Sequence, residues 1–192
     1  MDGVNGLDES LVQVETTASP VGATRDKGRV PAVALEPCGF FNTVSATLAG
    51  TLEDTVGLED ASAFIGVVGD ELGDEISRQY ADAMDGGLSQ DAEALGHILV
   101  DLKARLGGTF EIESCDDSEI VLTNGRCPFG VQVTGRSSLC MMTTMVFGRV
   151  VADRNGYASV KIEESLAMAH GRCRVRVRLV DDRKGDGVEF FK

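Results

Sequence analysis

Thiols carry the most distinctive chemistry in this chain, and three of its five cysteines, Cys127, Cys140 and Cys173, fall where a loop, a helix start and a strand are expected. Cys127 precedes Pro128 and lies close to Gly130, a stiff setting in which a loop side chain can be aimed at a site. Cys140 falls in the first turn of a helix, where unpaired N–H groups and the helix dipole favour thiolate, so its sulfur is expected to ionise more easily than a mid-helix one. Cys173 opens a run in which Arg172, Arg174, Arg176 and Arg178 alternate with Cys173, Val175, Val177 and Leu179, which turns the sulfur toward the apolar side. Thiols scattered in sequence but able to converge suit a metal or cluster that needs several soft thiolate ligands. His170, in the turn before that strand, is a candidate nitrogen ligand and equally an ordinary turn residue. The CxxC pairs of zinc ribbons are missing, so spacing does not support structural zinc, and buried cysteines also serve as inert core thiols. Cys115, beside Asp116 and Asp117, and Cys38 are weaker candidates.

A second set of residues suits an apolar pocket. Phe129, Met142, Met145 and Phe147 could line a site for an apolar or tetrapyrrole ligand, although a methionine-rich helix face is also ordinary adaptable core. A third reading makes Cys140 a nucleophile with Cys127 as its resolving thiol. His97 and His170 show no carboxylate arrangement that would support turnover, and P-loop, nucleophile-elbow, HExxH and GxGxxG patterns are absent, so no enzyme is expected. The arginine run reads as a solvated sheet face balanced by Glu111, Glu113 and Glu163.

The elements that position these groups follow from periodicity. Phe40, Phe41, Val44, Leu48 and Leu52 predict a helix ending near Gly57, and Phe64, Val67, Val68, Leu72, Ile76 and Tyr80 predict a second, stopped at Gly86-Gly87. Ser89 is a plausible N-cap for a third, striped by Leu95, Ile98, Leu99, Leu102 and Leu106. From Thr109 the period falls to two, and Asp116-Asp117-Ser118 joins a hairpin. Ser137-Ser138 caps a helix closing at Asn155-Gly156, and two strands follow. The fold class is α+β: N-terminal helices, then an antiparallel sheet with an inserted helix, β-β-α-β-β. Residues 1–32 read as a disordered acidic tail, 33–183 as one ligand-binding domain and 184–192 as a C-terminal tail.

Composition narrows the function classes. The chain has 192 residues, 43% of them hydrophobic and 26% charged, which fits one globular domain plus a tail. Its first 102 residues hold 4 basic against 19 acidic residues, and its net charge of −13 discourages contact with nucleic acid or anionic membranes. No apolar run suits a membrane span or signal peptide, so a cytoplasmic, reducing location is expected, with thiols rather than disulfides.

Cys127-Pro128-Phe129-Gly130, Leu139-Cys140-Met141-Met142-Thr143-Thr144, Val146-Phe147-Gly148, Gly156-Tyr157-Ala158 and the Cys173 strand together resemble the methanogen output domain family, over roughly residues 33–180. That family occurs at the ends of sensor proteins and as stand-alone chains. More distantly, the helices, sheet and late cysteine strand resemble the 4-vinyl reductase-like small-molecule-binding domains. Cys127 and Cys140 are also similar to the Cys-x12-Cys of iron–sulfur repressors, whose winged-helix domain this sequence lacks. Family members often carry Gly-Asp before the last cysteine where this chain has His170-Gly171-Arg172, so His170 gains no support as a ligand. The resemblance implies a sensory or regulatory module in which Cys127, Cys140 and Cys173 hold an iron–sulfur cluster, with haem or zinc as alternatives. A protein partner is implied, and a homodimer is left open.

Overall fold

The computed structural model describes residues 32–83, 91–182 and 186–192. The tail expected over 1–32 and the Gly86-Gly87 stop and Ser89 cap expected before the third helix lie almost wholly outside these residues. The chain divides after Ala34, and Leu35–Lys192 forms one compact unit. Residues 32–34 before it are exposed and belong to no helix or strand.

In this unit the predicted order holds. Helices α1 (Pro37–Val56), α2 (Leu58–Ala83) and α3 (Ala92–Arg105) precede strands β1 (Phe110–Cys115) and β2 (Glu119–Asn124). Helix α4 (Cys140–Asn155) is inserted before β3 (Tyr157–Glu164) and β4 (Cys173–Arg178). A fifth strand, β5 (Val188–Phe191), occupies the stretch read from sequence as a tail, and it pairs antiparallel with β3. The sheet order is β1-β2-β4-β3-β5, with every pairing antiparallel. One sheet face packs on α3 and α4 through Leu95, Leu99, Ile120, Leu122, Phe147, Val150, Val175 and Val177, all buried. The other face carries the arginine run, paired as expected with Glu113 and Glu163 and also with Glu119 and Glu164.

The local signals account for most boundaries. Asp91, not Ser89, caps α3 by accepting the Ala94 N–H at 2.7 Å. Asp116 closes the β1–β2 turn by accepting from the backbone of Ser118 and Glu119. Gly156 ends α4 at φ 87°, the left-handed cap that glycine adopts most readily.

The first two helices bury a different face from the one their apolar periodicity predicts. Phe40, Phe41, Leu48, Phe64, Val67 and Leu72 are exposed, whereas α1 buries Ala46, Ala49 and Gly50 and α2 buries Ala61, Ile65, Gly66, Gly69, Gly73 and Ser77. The cause is close helix approach. A Cβ at Gly69 would stand 2.9 Å from that of Met145, and one at Gly73 would stand 2.9 Å from that of Arg149, so α4 lies directly on the small-residue stripe of α2.

Candidate functional site

The three sequence-predicted cysteines meet. Cys127 comes from the loop after β2, Cys140 from the first position of α4 and Cys173 from the first position of β4, and all three line one cavity. Phe110, Asn124, Phe129, Thr143 and Leu166 complete much of its wall. The loop that carries Cys127 turns at once, with Gly130 N–H donating to the Cys127 carbonyl at 2.9 Å and Gly130 at φ 68°. Cys38 and Cys115 are exposed and outside this wall.

Cys140 and Cys173 are tied to the same short segment, a 3-10 turn over Leu166–Met168. Cys140 Sγ lies 3.3 Å from Ser165 Oγ, and the Leu166 N–H donates to Cys173 Sγ at 3.4 Å. Ser165 Oγ also accepts from the Ala167 and Met168 N–H groups, capping that turn. Ser165→Ala is therefore expected to lower stability by about 1 kcal/mol in urea denaturation; an unchanged midpoint would refute the capping role.

Behind the cavity sits a group that sequence reading passed over. Lys103 of α3 is 4% exposed, and its Nζ donates to Thr143 Oγ1 at 2.9 Å. The ammonium lies 5.0 Å from the centre of the Phe147 ring and 5.8 Å from that of Phe110. Among the described residues no carboxylate pairs with it. Burial pulls the Lys103 pKa down to about 8, partly opposed by the Cys127, Cys173 and Cys140 sulfurs around it. Burial likewise raises the Cys140 thiol, the largest influence, despite the Ser165 contact that favours thiolate. The expected easy ionisation of Cys140 is thus corrected: loss of water outweighs the helix terminus, whose N–H groups are already engaged. The Cys140 N–H, for one, donates to the Ser137 and Ser138 carbonyls, and in the same turn the Ser138 N–H donates to Glu53 Oε1 of α1 at 3.0 Å. Cys127 is raised by burial too.

Asn124 is the second unanticipated member. It is 2% exposed and its Oδ1 accepts from the backbone N–H of Thr109 and Arg126, which fixes the amide's orientation. Its Nδ2 is buried without a partner among the described residues. Both residues announce themselves in hindsight as polar groups at apolar register positions, Lys103 following Leu95 and Leu99 at helical spacing and Asn124 following Ile120 and Leu122 at strand spacing.

The remaining candidates are elsewhere. His170 is exposed and outside the wall, and its Nδ1 accepts the Ser165 N–H at 2.9 Å. Of the apolar set only Phe129 lines the cavity. Met142 packs with Ala46 and Leu139, Met145 packs against α2, and Phe147 is core. As the side chains stand, no three His, Cys, Asp or Glu groups among the described residues are arranged to hold a metal ion. The cavity spans about 410 Å³ out to its mouth, and only a small part of that space is wide enough for water. Among the described residues no helix is long and apolar enough to cross a membrane.

Comparison with known proteins bears on the whole domain. The family described as methanogen output domain 1 matches residues 45–178. No curated protein matches the chain. Among solved structures, the phenol-responsive sensory domain of the transcription activator PoxR with phenol is similar in fold, with a TM-score of 0.50 and 15% identity, covering 77% of this chain and 76% of that one.

Proposed function

Because the chain belongs to the methanogen output domain 1 family, we propose that it is a sensory or regulatory module whose sensing site is the cavity shared by Cys127, Cys140 and Cys173, and that these thiols hold an iron–sulfur cluster. The observation that carries this reading is the convergence of three sulfurs from a loop, a helix and a strand on one cavity backed by a buried, unpaired ammonium. Thiolates bring negative charge into a low-dielectric site, and Lys103 supplies a compensating cation there. The donor chemistry therefore fits a thiolate-held centre. Soft thiolate donors suit an iron–sulfur centre, and the family resemblance of the Cys127 and Cys140 segments is the reason to place a cluster there ahead of zinc. The narrow cavity must widen to take a cluster, and a haem macrocycle is larger still.

When bound, such a centre supplies a redox couple that is also lost with the iron. The chain's own residues provide the connection to a surface. Asn42 of α1 donates to the Pro128 carbonyl at 3.3 Å, beside Cys127, and Glu53 of α1 accepts from Ser138 just before Cys140. Movement of either cysteine segment is thus felt by α1, whose outer side with that of α2 exposes Phe40, Phe41, Leu48 and Phe64 for a protein partner.

Anaerobic purification followed by iron, sulfide and absorption measurements on one sample tests the reading. Cys140→Ser is expected to remove most of the iron, and a protein that keeps its metal content after that change would overturn the assignment. The apolar wall and the fold's likeness to a phenol-responsive domain support a second, metal-free reading, in which a small ligand occupies the same cavity. Retention of that ligand after all three cysteines become serine would favour it.

A further inference from the structure

We propose that the cavity beside the thiols is a receptor for a small monoanion of at most about three heavy atoms, held by the Asn124 amide and the Thr143 hydroxyl with the Lys103 ammonium behind them. The inference rests on the cavity being the sensing site, and it does not require that a metal be bound there.

Asn124 and Thr143 both belong to the cavity wall, and each has a donor left over once its oxygen is engaged. Asn124 lines the cavity, and its oxygen is committed to the Thr109 and Arg126 N–H groups, so the nitrogen left over is a buried donor with no partner among the described residues. A buried amide N–H without an acceptor is destabilising unless something fills the place. Thr143 also lines the cavity. Its oxygen already accepts from Lys103, so the hydroxyl proton is the one it has to offer a guest, and the ammonium behind it strengthens that offer. No Asp or Glu is in the cavity wall. Neutral thiols are only weak acceptors, so the stronger polar groups of the wall are donors, and an anion completes both hydrogen bonds and neutralises a buried charge.

Size sets the rest of the class. So little water-sized space admits a halide, hydrosulfide or a triatomic anion and excludes an aromatic acid unless the wall moves. Thiol and aromatic neighbours, Cys127, Cys140, Cys173, Phe110 and Phe129, make the wall polarisable and favour a soft anion over a strongly hydrated one.

Thiocyanate is a suitable probe, because its stretching band shifts when the ion leaves water and calorimetry gives its stoichiometry. Full-length, metal-free protein is expected to bind one thiocyanate saturably. Lys103→Met and Asn124→Asp should each weaken binding by about tenfold or more; the aspartate keeps the acceptor for Thr109 and Arg126, and circular dichroism checks that both variants are folded. Changing Cys127, Cys140 and Cys173 together to serine should leave thiocyanate bound while removing any iron. No saturable binding to the wild type, or binding unchanged in both Lys103→Met and Asn124→Asp, overturns the proposal. Iron incorporated by a protein that ignores thiocyanate defeats the anion site alone, and thiocyanate bound by a protein that never takes iron defeats the cluster alone.

Discussion

Replacing Lys103 by methionine is expected to make the metal-free protein more stable at pH 7 by about 2 kcal/mol, although it removes a charge and a hydrogen bond. The argument is one of magnitudes. Burial brings the lysine from its usual 10.5 to about 8, a difference equivalent to about 3 kcal/mol against folding when the group is protonated. The ammonium recovers about 1 kcal/mol of this from the Phe147 and Phe110 rings, and methionine fills a similar volume without a charge to desolvate. The pH dependence identifies the cause. A folded-state pKa below the unfolded one means the penalty is complete below about pH 8, shrinks as pH rises toward 10.5 and is absent above it. The advantage of methionine should shrink through the same window. Because the Lys103 charge also lowers the Cys127 and Cys140 thiol pKa values, the comparison is made with Cys127, Cys140 and Cys173 changed to serine in both proteins, and urea denaturation at pH 7 and pH 10 measures it. A methionine variant less stable than its lysine parent at pH 7, or an advantage that does not change with pH, would show that Lys103 is structurally useful in its own right. A residue that weakens the fold and sits against three thiols is the pattern expected of a group retained for what the site holds.

The second large effect concerns Gly148, in the middle of α4. A Cβ there would stand 2.1 Å from the ring of Phe190, the one buried side chain of β5. Alanine in a helix interior is favoured over glycine by about 1 kcal/mol, but inserting a methyl group into a filled core costs about 1–3 kcal/mol and more where nothing can yield. The clash wins, and Gly148→Ala is expected to lose about 2 kcal/mol or more overall. Since β5 is short and joins the sheet only along β3, the strain should be relieved by releasing that strand. Hydrogen exchange would then show loss of protection at Phe191 and Tyr157 with β4 still protected. Uniform loss across the sheet would mean that the strand and the core are one cooperative unit.

How far the sequence predicts this protein depends on which rule the local structure obeys. Alternation located β1, β3 and β4 and turned Cys173 inward because a half-buried sheet enforces a period of two, while the β-rich run Ile120-Val121-Leu122 located β2. The convergence of Cys127, Cys140 and Cys173 was readable from the same placement. The buried sides of α1 and α2 were not, because periodicity assumes that large apolar residues face inward, whereas close approach of α4 selected glycine and alanine and left Phe64 and Val67 outside. Residues 188–191 were too few to show a period, and their place depends on Phe190 finding the space above Gly148, a contact made forty-two positions apart. Lys103 and Asn124 were missed for a different reason. Each is locally ordinary, and only the burial of its register position makes it chemistry.

The sheet order also governs when this domain can exist. β4 lies at the centre, hydrogen-bonded to β2 on one side and β3 on the other, yet it is the fourth strand to be made. Until it emerges from the ribosome, the β1–β2 hairpin has an open edge on the β2 side carrying Ile120, Val121 and Leu122, and β3 has no partner at all. Each nascent chain therefore waits, with its three helices formed or forming, for a segment some fifty residues beyond the hairpin it must join, a long loop closure of the kind that slows folding. Because Cys173 is the first residue of that strand, the third thiol arrives in the same step that closes the sheet. The cavity therefore cannot be completed before β4 pairs, and a nascent chain that has not reached Cys173 lacks the third sulfur, whereas β5 adds to the edge of β3 afterwards.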